Sequence, residues 1–231
     1  MPLAILRPLV RALPFTATLA FAGVGLGSWG GWAVVTLDDM PDAIVSGKPV
    51  TLTFTVRQHG HTPLDNLHPS IDAAPVRGGD PIRADAVPAG GKGRYRSTFA
   101  LPDTGQWRLT INSGWGSSHV DLDPIAVIGA GQPAPAFAAA ERGRRLFLAK
   151  GCVTCHVHGD VAGSGVVPVG PALTQLRLPA DFLQKFLSDP SILPASQQTN
   201  GGMPNLDLKP AEIAALVAFI NAEATTARAG Q

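Results

Sequence analysis

Cys152-Val153-Thr154-Cys155-His156 is the stretch that decides how this chain is read. Two thiols at that spacing, followed at once by an imidazole, form the attachment site of a c-type haem. The thiols form thioethers to the haem vinyl groups and His156 reaches the iron as its proximal ligand. The chain has two cysteines in all, so a closed zinc site would need His156 and His158, which lie too close together for the usual paired spacing. A thioredoxin-like redox pair would need a βαβ surround, whereas the residues ahead of Cys152 carry a helical pattern with no strand before it.

Haem iron needs a sixth ligand or an open position, and the choice separates electron carriers from gas binders and peroxidases. Of the methionines Met1, Met40 and Met203, the last alone lies downstream of the haem motif. It sits in Asn200-Gly201-Gly202-Met203-Pro204-Asn205, where polar, glycine-rich flanks favour a thioether held out toward a metal over one packed as core filler. Three helices are predicted around these motifs. Residues 138–150 mix alanine, leucine and arginine, good helix formers, with Gly143 tolerable where another backbone passes close. Asp181 to Ser188 shows an apolar face of Phe182, Leu183, Phe186 and Leu187, and Asp189-Pro190 ends it. The last helix opens on Pro210 and Glu212, and Ile213, Leu216, Val217 and Ile220 recur as a stripe with Phe219 on its flank.

In their order of helix, CxxCH, Gly170-Pro171 loop, middle helix, Met203-Pro204 loop and final helix, residues 138 to about 224 resemble a class I, monohaem cytochrome c domain. The resemblance implies an all-α domain with covalent haem c, His156 and Met203 on the iron, and first and last helices crossing at Gly143. It also implies that the Pro171 carbonyl accepts a hydrogen bond from the other nitrogen of His156, fixing its tautomer and raising its basicity. Without the resemblance, Pro171 reads as an ordinary loop proline. His158 reads as a solvated loop histidine, since one imidazole fills the proximal position. Arg142, Arg144, Arg145, Lys150, Arg177 and Lys185 are expected to ring the exposed haem edge and attract an acidic partner.

The rest of the chain is a different kind of sequence. Its 231 residues allow two domains, each with its own core. Ten acidic and ten basic residues up to Phe137, then seven and eight, leave nucleic-acid binding without electrostatic support. Arg7 and Arg11 precede an uncharged stretch from Ala12 to Leu37, with Ala20-Phe21-Ala22 as a small-x-small site, the pattern of a cleaved secretory signal over residues 1–28; the alternative is an uncleaved membrane anchor. From Trp32 to Ile128 the apolar period is two: Val50, Leu52, Phe54 and Val56, then Tyr95, Phe99 and Leu101, then Trp107, Leu109 and Ile111. Pro102-Asp103-Thr104-Gly105 is a turn between the last two runs. Short alternating strands at this spacing indicate an antiparallel β-sandwich over residues 29–128, joined by a small-residue, proline-interrupted linker, residues 129–137, to the helical domain, residues 138–231.

The run Gly93 to Ile111 resembles the YtkA-like and FixH-like immunoglobulin-type domains of exported or membrane-attached bacterial proteins, some of which bind copper. His59, His61 and His68, with His119 and Met40 elsewhere, are a candidate copper set by ligand chemistry, against the plainer reading of a polar loop. A dinuclear copper–thiolate centre is excluded because the haem uses both cysteines. The expected protein is a two-domain carrier of single electrons between respiratory or photosynthetic redox partners, membrane respiratory complexes among them, with a β-sandwich that docks or positions; it is expected in the periplasm or on the outer face of the cytoplasmic membrane, and is not itself an enzyme. The alternatives are an electron-transfer subunit of a membrane oxidase or dehydrogenase, and a copper-handling or redox-sensing protein.

Overall fold

Alternation of β-branched or aromatic residues with polar ones gives strands whose odd and even side chains face opposite sides, one of them toward the core. The computed structural model describes residues 31–161, 167–194 and 201–222; the segment read as a signal or anchor lies outside them. Eleven strands precede the first helix: β1 (Ala33–Leu37), β2 (Ala43–Val45), β3 (Pro49–Gln58), β4 (Thr62–Pro63), β5 (Ser70–Pro75), β6 (Ile82–Asp85), β7 (Val87–Pro88), β8 (Arg94–Ala100), β9 (Gly105–Asn112), β10 (His119–Asp121) and β11 (Ile125–Ile128). One sheet runs β1-β3-β8-β7 with β4 on β3, and the other runs β2-β11-β9-β5-β6 with β10 on β9. All pairings are antiparallel except β2 with β11.

The predicted alternation is met at Leu52, Phe54 and Val56 of β3, Tyr95 and Phe99 of β8, and Trp107, Leu109 and Ile111 of β9, which are all buried, while Val50 is only half-buried. Each large side chain so removed from water contributes about 1.5–3 kcal/mol. Phe54 lies opposite Tyr95 in register, their rings 6.2 Å apart. The Tyr95 hydroxyl donates to the Leu64 carbonyl at 2.7 Å and accepts from the Leu67 amide at 3.1 Å, so its polar end is satisfied inside the core. The indole of Trp107 donates to the Asp103 carbonyl, fastening the predicted turn to the core.

Three helices follow: α1 (Ala139–Ala149), α2 (Ala180–Ser188) and α3 (Pro210–Ile220), with a 3₁₀ turn at Cys152–Thr154. Helices α1 and α3 cross at Gly143, where a Cβ would stand 2.0 Å from the Ala215 carbonyl oxygen. Glycine is there because the other backbone leaves no room for a side chain. The apolar face of α3 is wider than a stripe, with Ile213, Ala215, Leu216, Val217, Phe219 and Ile220 all buried, since the helix packs against both α1 and α2. Among the described residues no helix is long and apolar enough to cross a membrane.

The two halves share a seam built from charges, which corrects the expected ring of cations around the haem edge. Arg142 forks onto Asp42 at 2.7 and 2.9 Å, and Arg144 pairs with Asp123. Arg145 is buried, donates to the Pro124 carbonyl at 3.0 Å, and stacks its guanidinium 4.6 Å from the Phe137 ring centroid. Lys150 is also buried, donating to the Asp38 carbonyl at 2.7 Å and to Glu212 at 2.8 Å. Lys209 pairs with Asp39, whose carboxyl is held below its ordinary range by that contact. Four of the six predicted docking cations therefore hold the domains together, leaving Arg177 and Lys185 exposed.

Candidate haem site

Helix α1 stops at Gly151, whose left-handed φ of 78° redirects the chain into the 3₁₀ turn. A Cβ at Gly151 would lie 2.6 Å from both the Val34 side chain and the Val35 carbonyl, so the haem motif begins pressed against β1. Within the turn, the amides of Cys155 and His156 both donate to the Cys152 carbonyl, at 3.1 and 2.9 Å. This tight winding brings Cys152, Cys155 and His156 to one cavity of about 260 Å³ whose walls are mostly aliphatic and aromatic. Phe182 and Phe186 of α2 line it as a stacked pair, ring centroids 5.9 Å apart and planes within 6°, while Leu183 and Leu187 are buried.

The chain from Gly170 onward lies along the haem motif: the Gly170 amide donates to the Cys155 carbonyl at 3.1 Å and the Leu173 amide to the Val157 carbonyl at 2.8 Å. His156 Nδ1 is 2.9 Å from the Pro171 carbonyl oxygen. A carbonyl can only accept, so Nδ1 carries the proton and Nε2 is left with its lone pair free for iron. Burial lowers the basicity of His156, partly offset by the Pro171 carbonyl, and favours the neutral, ligating imidazole. Gly170 matters as much as the proline beside it, because a Cβ there would stand 2.3 Å from His156 Cε1.

Burial pushes the Cys152 thiol up to about 12 and Cys155 to about 11. Both lie above the ordinary thiol range, unlike the depressed thiol of a redox-active pair. Met203 is half-buried and lines the same cavity. Its loop turns at Gly201 and Gly202, with φ of 86° and 79°, and the Asp207 amide donates to Asn205 Oδ1 at 2.9 Å, setting up the approach to α3. Two thiols, an oriented imidazole and a thioether on one apolar cavity are the donor set that haem c requires.

The Cytochrome c family model matches residues 140–223. The match spans just over a third of the chain and includes Cys152, Cys155, His156, Pro171 and Met203. It assigns covalently bound haem c and a haem-based electron-transfer role to this helical part. No curated protein matches the chain.

Other histidines sit differently from expectation. His158 is not a solvated loop residue: it is 3 % exposed, its Nε2 donates to the Phe219 carbonyl at 3.1 Å, and its ring meets that of Phe219 edge-on at 4.6 Å. It therefore serves as a polar pin between the haem motif and α3. The candidate copper set does not assemble. Among the described residues no group of three His, Cys, Asp or Glu side chains is placed to hold a metal ion. His68 is exposed with its backbone against Gly114, while His61 points Nε2 at the Gly202 carbonyl and His59 lines the haem cavity beside Trp32, ring centroids 5.3 Å apart. Nothing local in the sequence marks Trp32 or His59 as cavity residues, since the helical-domain residues they face lie more than eighty positions away.

Proposed function

We propose that the chain is an exported carrier of single electrons in which Cys152, Cys155, His156 and Met203 would hold a haem c, with His156 and Met203 as the ligands of its iron, and that it catalyses no reaction of its own. The observation that carries this reading is the shared cavity: Met203 lines it together with His156, whose Nδ1 is already committed to Pro171. Bound haem c supplies the one-electron couple. Cys152 and Cys155 tether it, Pro171 and Gly170 fix the imidazole plane, and the leucines and phenylalanines of the wall keep water from the metal. A thioether and an imidazole as ligands in a largely apolar site would favour the reduced state and a relatively positive potential.

The β-domain is proposed to be of the YtkA/FixH-like immunoglobulin type. Supporting this is the order of strands in the two sheets, β1-β3-β8-β7 facing β2-β11-β9-β5-β6. Its place is periplasmic or on the outer face of the membrane, and its partners are redox proteins, membrane respiratory complexes among them. Carbon monoxide binding to the reduced protein tests the central assignment. Wild type should resist the gas, and Met203→Ala should bind it and show a lower midpoint potential. Ready binding by wild type would overturn the carrier reading.

A further inference from the structure

The β3–β4 turn of the β-domain meets the haem domain at one particular place. Its backbone is set by His59 and Gly60, with φ of 52° and 80°, and by the His59 amide donating to the Trp32 carbonyl at 3.0 Å. At the residue before Met203, His61 Nε2 faces the Gly202 carbonyl at 3.1 Å, a contact in which the imidazole must donate. At the residue after Met203, Pro204 packs on buried Gly60 so closely that a Cβ there would lie 2.9 Å from Pro204 Cγ. Arg57, at the end of β3, reaches Asp207 at 3.7 Å.

Both chain neighbours of Met203 are thus held by a turn belonging to the other domain. We infer that the β-domain is a working part of the haem site, with Gly60 and His61 acting as positioning residues for the Met203 thioether. This rests on Met203 being the sixth ligand. A thioether is a weak ligand carried on a loop with two consecutive left-handed glycines, so its bound fraction depends on how narrowly the loop is confined. The turn supplies that confinement from outside: His61 fixes the carbonyl orientation at Gly202, and Gly60 gives Pro204 a surface to rest on. Loosening either should raise the fraction of iron from which the thioether is detached, with no change at His156.

The test uses the full-length holoprotein and three readouts: carbon monoxide binding to the ferrous form, midpoint potential, and the ferric thioether-to-iron charge-transfer absorption. His61→Ala removes one neutral hydrogen bond and should raise the gas-accessible fraction about fivefold. His61→Gln keeps a donor and should recover much of the wild-type value. Gly60→Ala drives a methyl into Pro204 and should raise the fraction about tenfold, with a lower potential and a weaker charge-transfer band. Gly90→Ala is the control, since Gly90 has the same left-handed backbone, φ of 73°, with open space around it; it should leave all three readouts at wild type. Values for His61→Ala and Gly60→Ala within about twofold of wild type would overturn the inference. Should Gly60→Ala not fold, the His61 pair decides alone. A wild-type protein that already binds the gas would instead sink the assignment of Met203, a separate failure.

Discussion

The two sides of the haem cavity are held at very different ranges. On the His156 side the key hydrogen bond spans 15 residues, from the imidazole to Pro171, and lies wholly within the helical domain, although β1 presses on the motif at Gly151. On the Met203 side it spans 141 residues, from His61 to Gly202. On the proposed ligation, the strong ligand His156 is locked mainly by its own neighbourhood, whereas the weak ligand Met203 is steadied by a different domain. The difference implies that attachment and proximal ligation are properties of the helical domain, while the firmness of the sixth bond belongs to the whole chain.

The most severe way to break the local side is Gly170→Ala. The methyl would collide with the imidazole ring at 2.3 Å, and His156 cannot retreat without losing Pro171. Haem staining of the denatured protein should show yield of covalent product falling by about tenfold or more, as expected for overpacking of several kcal/mol at a site that cannot relax. A normal yield with normal spectra would mean that the two sides are equally compliant.

Lys150→Ala attacks the place where both domains and both terminal helices converge. It strands the Glu212 carboxylate, whose side chain is 12 % exposed, although Glu212 still accepts from the Lys209 amide at the start of α3. Chemical denaturation should register a loss of about 3 kcal/mol, the usual consequence of leaving a buried charge without its partner. If the site is divided as described, the potential should also shift, because the β-domain and α3 would lose a common anchor.

Arg142→Ala sharpens the comparison by what it spares. The pair with Asp42 is bidentate but more than a third exposed on both sides, so the loss should be about 0.2–1 kcal/mol and should shrink as salt is added. Carbon monoxide binding and potential should not move, since the pair lies away from the Met203 loop. A shift in either would mean that the seam acts on the iron as a whole and not through the β3–β4 turn.

Much of this was legible in residue order, for physical reasons that differ by element. The strands announced themselves because burial on one face imposes period two, and Leu52, Phe54 and Val56 could not be placed otherwise. Gly143 was readable as a crossing point because a glycine inside a good helix needs a reason. The haem motif and the Met203 loop were readable because their chemistry is compact in sequence. Charges were not. Arg142, Arg144, Arg145 and Lys150 look like any solvated face, and their partners Asp42, Asp123, Pro124 and Asp38 carry no mark of the pairing. His158 failed for a related reason: a polar side chain among glycines and valines reads as loop surface until the Phe219 carbonyl arrives from 61 residues away. Trp32 and His59 belong to the same class, as does the support that Gly60 gives to Pro204.

The β3–β4 turn also bears on how the molecule is assembled. Domains fold largely as units, the N-terminal one first during synthesis, so the sandwich and its turn exist before the haem motif emerges. Closing the 141-residue span from His61 to Gly202 then requires a shorter search, because about half of the intervening residues are already folded into the sandwich. The turn is a template waiting for its loop. If Met203 is the sixth ligand as proposed, its engagement would be the last event of maturation and would report that both halves of the chain have found each other.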